Sequence, residues 1–287
     1  MGTALSGELV RIDDTSLFVE TRGDGDPLIL LHGGPGLDHH EFADYLDPLA
    51  DEFRLLFVDL RACGRSEPCP PGTWTLERHA QDVIMLARAL GLERYAVLGH
   101  SYGAFVALQN AVDFPGMAAR TIVSSGIPSM RWIAAVERNL AAFEPVELRE
   151  QVTASWAKEA HVETQEDFAR LMREQFPFHF ADPLDPRIED YLTRTADTIY
   201  APDVLRHASA AGDGGIEVED RLDEVASPTL VLAGRHDRTC VVQAAEATAA
   251  GIPDSELVVF ERSGHMTFVE EPERYVAEVR GFLQRTA

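Results

Sequence analysis

The sequence predicts an α/β fold: a mostly parallel sheet of eight strands, with helices on both faces and a helical insertion. Three observations predict it. Short apolar runs alternate with segments of helical period, as parallel strand–helix–strand units require. That rhythm stops at Pro128 and resumes near residue 221, leaving a long helical stretch between. One apolar run, Tyr95 to Leu98, leads directly into Gly99-His100-Ser101-Tyr102-Gly103, and a helical pattern starts at Ala104.

Length and composition fit this reading. The 287 residues suffice for one large domain carrying an insertion. The formal charge of -23 argues against a nucleic-acid partner, which needs a basic face, and disfavours an anionic membrane surface. Three cysteines, Cys63, Cys69 and Cys240, form no disulfide framework and match no zinc spacing. No run is apolar and long enough to span a bilayer, and residues 1–14 lack the pattern of a secretory leader. The expected compartment is a reducing cytoplasm.

The elements follow in order. Leu9–Ile12 and Leu17–Glu20 alternate as two strands of a hairpin around Asp13–Ser16. Leu28–Leu31 is a continuous apolar run, as expected of a strand buried on both faces, and ends in His32-Gly33-Gly34-Pro35-Gly36. A helix is expected around His40–Leu49, then a strand over Phe53–Leu60. Thr75 reads as the N-cap of a helix with the apolar stripe Leu76, Ala80, Val83, Ile84, Ala87 and Leu90, closed by Gly91. Tyr95–Leu98 and Arg120–Ser124 are strands. From 129 to 220 the helical stripes are Trp132, Ile133, Val136, Leu140 and Phe168, Leu171, Met172, Phe176, with a flexible loop expected at Ala210–Gly215. Pro228–Ala233 and Glu256–Phe260 are the last strands. Helices are expected at Val241–Ala249 and Pro272–Leu283, the latter opened by its proline. The division is core 1–128, helical cap 129–220 and core 221–287.

Ser101 sits at the apex of a tight strand-to-helix turn, where side chains at positions 99 and 103 would clash, so only small residues fit there. A serine nucleophile needs a base and a group that orients the base. His265, just past the last strand in Ser263-Gly264-His265, is the best base. Asp237, after the strand that ends at Ala233, is the best orienter. Both lie at the carboxyl edge of the sheet, where α/β folds gather their chemistry. The order Ser101, Asp237, His265 is that of α/β-hydrolases. Backbone N–H groups of Tyr102 and Gly34 are the candidate oxyanion donors.

Together these stretches resemble the α/β-hydrolases, and more narrowly the proline iminopeptidase (prolyl aminopeptidase) group. The carrying motifs are His32-Gly33-Gly34-Pro35-Gly36, Asp59-Leu60-Arg61-Ala62-Cys63-Gly64-Arg65-Ser66, Gly99–Gly103, Gly234-Arg235-His236-Asp237 and Ser263-Gly264-His265. The resemblance covers residues 8–128 and 220–285. It departs at Leu60, where the group often has Gln, at Ala62 for Gly, and at Tyr102, where many members have Trp.

The resemblance implies the α/β-hydrolase fold and a Ser101–His265–Asp237 triad acting through an acyl-enzyme, with no cofactor or metal. It does not by itself imply peptidase activity; the first reading is an aminopeptidase that releases N-terminal proline or small residues. The same motifs serve esterases and lactonases, so a carboxylesterase or lactonase of small molecules is the alternative. A non-catalytic binding protein on this fold is the third reading. The partner is a small-molecule or short-peptide substrate. In the iminopeptidase group, acidic cap residues hold the substrate's amino terminus. Here Glu144, Glu147, Glu163, Glu166, Glu174 and Glu189 lie in the cap, and none is assigned. Trp132, Trp156, Phe176, Phe178 and Tyr200 are candidates for an apolar wall. His39-His40-Glu41 reads as a solvated helix start rather than a metal site. Arg61 and Arg65 read as pins for their loop, with Cys63 and Cys69 near the site. The Gly34–Pro35 bond is one that permits a cis peptide.

Overall fold

A computed structural model of the chain describes residues 6–211 and 215–285. Among these, eight strands form one sheet in the order β1-β2-β4-β3-β5-β6-β7-β8. They are β1 (Ser6–Arg11), β2 (Ser16–Arg22), β3 (Asp26–Leu31), β4 (Phe53–Val58), β5 (Ala96–His100), β6 (Arg120–Ser124), β7 (Thr229–Gly234) and β8 (Ser255–Phe260). The first two form the expected antiparallel hairpin, and β2 also meets β4 antiparallel. Every other pairing is parallel.

The continuous apolar runs are explained by burial on both faces. Leu28, Leu30, Leu55, Phe57, Leu98 and Ile122 pack on one side of the sheet. Their neighbours Ile29, Leu31, Leu56, Val58, Val97 and Val123 pack on the other. Helix α1 (Leu76–Ala89) starts as expected at Thr75, whose hydroxyl accepts from Arg78 N–H. Gly91 takes a left-handed φ of 66° just beyond its C-terminus. Helix α2 (Tyr102–Asp113) follows Ser101.

Between β6 and β7 the chain is helical: α3 (Ala134–Ala141), α4 (Val146–Trp156), α5 (Gln165–His179), α6 (Arg187–Arg194) and α7 (Pro202–Ala211). This segment leaves and returns through one paired neck. Met130 N–H donates to Ile216 O, and Val218 N–H donates to Pro128 O, each at 3.0 Å. Much of the loop expected at Ala210–Gly215 lies outside the described residues. The chain closes with α8 (Val242–Gly251), α9 (Thr267–Glu270) and α10 (Pro272–Gln284), the last with Pro272 in its first turn.

One element differs. The helix expected over His40–Leu49 is two short 3-10 turns, His39–Phe42 and Asp47–Leu49. Ala43 interrupts it with φ 43°, and its carbonyl is taken by the Arg22 guanidinium at 2.7 Å. Pro48 also opposes a continuous helix, because its ring would meet the carbonyl four residues back. Among the described residues no helix is long and apolar enough to cross a membrane.

Candidate active site

Of the loops at the carboxyl edge of the sheet, those after β3, β5, β7 and β8 carry the candidate residues. The turn after β5 is as tight as the glycine pattern demands. Ser101 has φ 53° and ψ -117°. A Cβ on Gly99 would stand 1.9 Å from Gly103 O, and one on Gly103 would stand 2.1 Å from Leu31 O. Neither position tolerates a side chain, so the serine hydroxyl is thrust clear of the sheet. Ser101 borders a cavity of about 420 Å³; its main-chain N–H donates to Ser124 O at 3.0 Å, while its hydroxyl has no hydrogen-bond partner among the described residues.

Asp237 and His265 meet. His265 Nδ1 lies 2.8 Å from Asp237 Oδ2. The other oxygen, Oδ1, accepts from Thr239 N–H (2.8 Å), the Thr239 hydroxyl (2.9 Å) and Cys240 N–H (2.9 Å). With three donors on Oδ1, the carboxylate cannot rotate, and Oδ2 stays on the imidazole. Burial opposes a charge on His265, but Asp237 outweighs it and holds the imidazolium well above the ordinary histidine value. The backbone around His265 is also pinned. Its N–H donates to His179 O at the end of α5 (2.6 Å), and its carbonyl accepts from the Ser125 hydroxyl (2.8 Å). The buried carboxylate of Glu270 accepts from Gly264 N–H (2.7 Å) and Ala181 N–H (2.8 Å), so it joins the His265 loop to the helical segment.

Both candidate oxyanion donors border the same cavity. Tyr102 is the first residue of α2, where backbone N–H groups have no partner within the helix. Gly34 is oriented through His32. Leu60 N–H donates to His32 Nε2 at 3.0 Å, which leaves Nδ1 as the protonated nitrogen and donor to Gly33 O at 2.7 Å. Burial lowers the His32 pKa, keeping the ring neutral in this tautomer. With Gly33 O held back toward His32, the Gly34 N–H of the same trans peptide points the other way. Gly34–Pro35 is a cis bond.

Several sequence expectations are corrected here. His39 and Glu41 are not solvated. His39 is wholly buried between Asp59 Oδ1 (2.6 Å) and Glu20 (3.5 Å), and burial against it is overcome by Asp59, raising its pKa to about 9. Glu41 is 5% exposed, accepts from Gly33 N–H at 2.5 Å and borders the cavity. Among the described residues two clusters have ligand atoms close enough for a metal, Asp38-His39-His40 and Asp237-Cys240-His265, but Nδ1 of each histidine is already bound to a carboxylate. Arg61 does pin its loop, gripping Asp82 and Asp14 from a buried position. The cysteine on the cavity wall is Cys240, beside His265, whereas Cys63 is buried in the core.

The cavity wall is mainly apolar, with Phe105, Leu140, Phe168, Leu171 and Phe176 among its residues. Trp156 and Phe176 line it, while Trp132, Phe178 and Tyr200 do not. None of the six cap glutamates singled out from the sequence reaches it. The carboxylates on the wall are Glu41, Glu137 and Glu159.

A family profile described as alpha/beta hydrolase fold matches residues 26–272. A proline iminopeptidase from Heyndrickxia coagulans is 29% identical over 273 residues, 92% of each chain. One from Clostridium botulinum is 28% identical, covering 93% of this chain and 92% of its own. The crystal structure of a Mycobacterium smegmatis proline iminopeptidase superposes with a TM-score of 0.76 at 28% identity, covering 97% of both chains.

Proposed function

The chain belongs to the alpha/beta hydrolase fold family and is a hydrolase; from that premise we propose that it is a serine aminopeptidase of the proline iminopeptidase kind, releasing proline or another small N-terminal residue from short peptides. Ser101 is the nucleophile, His265 the base and Asp237 the orienting acid. His265 Nε2 takes the Ser101 proton as Oγ attacks the scissile carbonyl. Asp237 keeps the second proton on Nδ1 and stabilises the imidazolium that forms. Gly34 and Tyr102 N–H groups receive the oxyanion, each worth about 3 kcal/mol of barrier. The imidazolium then protonates the departing amine, and water, activated by the same histidine, hydrolyses the acyl-enzyme.

The observation that carries the peptidase reading is the presence of Glu41, Glu137 and Glu159 on a mainly apolar wall that also holds Ser101. A free amino terminus is a cation and enters an apolar cavity only against a counter-charge. A neutral acyl chain has no use for three carboxylates. The size of the cavity favours a second reading, a carboxylesterase or lactonase for bulky neutral substrates, because 420 Å³ exceeds the needs of a prolyl group.

The test compares L-prolyl and L-alanyl p-nitroanilides with a p-nitrophenyl ester and a lactone, for the native chain and for Ser101→Ala. The expected result is preference for an unblocked aminoacyl substrate, loss of all turnover in Ser101→Ala, and an unchanged fold by circular dichroism. Hydrolysis surviving in Ser101→Ala overturns the nucleophile. Preference for esters or lactones overturns the peptidase reading.

A further inference from the structure

Glu41 stands apart from the other two carboxylates of the cavity. Glu137 is exposed on α3, and Glu159 is held by the Gln175 amide at 2.8 Å. Glu41 is buried, belongs to the core rather than the helical segment, and has no arginine, lysine or histidine ion-pair partner among the described residues. Its Oε2 accepts from Gly33 N–H at 2.5 Å, and its main-chain carbonyl accepts from the Tyr191 hydroxyl at 3.0 Å. Its Oε1 has no hydrogen-bond partner there. That oxygen also lies beside the nucleophile. A methyl group built on Gly33 would be 2.6 Å from Glu41 Oε1 and 3.0 Å from Ser101 Cβ, so both flank one point.

We propose that Glu41 Oε1 receives the α-ammonium group of the substrate, so that the residue holding the oxyanion turn also reads the amine. This rests on the aminopeptidase reading and names the group that performs its recognition step. The chemistry of the substrate supports it. In an α-aminoacyl group the nitrogen is two bonds from the carbonyl carbon. In the protein, Gly33, which Glu41 grips, directly precedes the oxyanion donor Gly34. Oε1 therefore stands close to both the nucleophile and the oxyanion turn, where the amine of an α-aminoacyl group would lie, and a blocked amine would bring it no positive charge. Burial raises the Glu41 carboxyl to about 7, with the Gly33 bond and His265 pulling it down and Asp38 pushing it up. An arriving ammonium supplies the positive partner that this carboxylate lacks.

The experiment uses Glu41→Gln and Glu137→Gln in the full chain. Glutamine still accepts from Gly33 N–H but presents no charge. The readouts are KM and kcat for L-prolyl p-nitroanilide, kcat/KM for p-nitrophenyl butyrate, and the Ki of L-prolinamide as a competitor of ester hydrolysis. The proposal expects Glu41→Gln to raise the arylamide KM and the prolinamide Ki at least tenfold. Its loss in kcat/KM on the arylamide should exceed its loss on the ester at least tenfold. Equal losses on both substrates mean that Glu41 only holds the turn and overturn the proposal. So does an unchanged prolinamide Ki, or a larger rise in KM from Glu137→Gln. If the native chain cleaves the ester, ignores the arylamide and is not inhibited by prolinamide, the aminopeptidase reading itself has failed. That failure is seen without any Glu41 variant.

Discussion

Replacing Asp237 with asparagine isolates the role of one oxygen. Three donors converge on Oδ1, two of them from Thr239 and one from Cys240. An asparagine here keeps its carbonyl oxygen on those donors, since turning it over would face its NH2 against three hydrogens. The NH2 is then left opposite His265 Nδ1, in place of the oxygen 2.8 Å away. An NH2 can only donate, so Nδ1 must surrender its proton and Nε2 must carry one. In that tautomer Nε2 cannot accept the Ser101 proton. A loss of about 10⁴ in kcat is expected, roughly 5 kcal/mol of barrier. The assay is steady-state hydrolysis of an uncharged p-nitrophenyl ester, which leaves amine recognition out of the measurement. Circular dichroism and a thermal melt establish that the variant folds. A kcat within tenfold of the native value, in a folded variant, refutes this account of His265 and Asp237.

Two further outcomes follow from the same site. Burial disfavours a charged His265, but Asp237 outweighs it and raises its pKa, and protonated His265 cannot act as base. Ester hydrolysis should therefore fall with decreasing pH along a limb whose midpoint lies above 6.5; a pH–rate profile with its midpoint at or below that value contradicts the coupling. Glu270→Ala strips the acceptor from two backbone N–H groups, Gly264 and Ala181, at a buried position. A stability loss of about 2–4 kcal/mol by urea unfolding is expected, and a loss under about 0.5 kcal/mol would show that water replaces the carboxylate without cost.

Much of the sheet was legible because each central strand is buried on both faces and so writes an unbroken apolar run, as at Leu28–Leu31 and Thr229–Ala233. The serine turn was legible for a different reason: the close approach of Gly99 to Gly103 and of Gly103 to Leu31 admits only glycine. Residues 38–49 were not legible, and the cause is non-local. Asp59, far along the chain, draws His39 inward, and Arg22 takes the Ala43 carbonyl. A local reading of His39-His40-Glu41 sees only polar residues and places them in water. It therefore misses Glu41, and it misses that His32 has its tautomer set by Leu60 N–H. The cap glutamates failed for a related reason. Helical period tells which residues share a face, but the cavity draws on α3, α4, α5 and α7 together, and no repeat in one helix says which face looks inward.

The bond between His265 N–H and His179 O has a consequence for how such a protein can be remodelled. His179 ends α5 and also lines the cavity, so the helix that shapes the substrate's surroundings holds the backbone of the proposed base. Grafting the 130–218 segment of a relative onto this sheet would exchange that brace along with the walls. Selectivity and reactivity are then inherited as one unit, and a chimera recovers full turnover only when the donor segment ends its equivalent helix with a carbonyl at the same point.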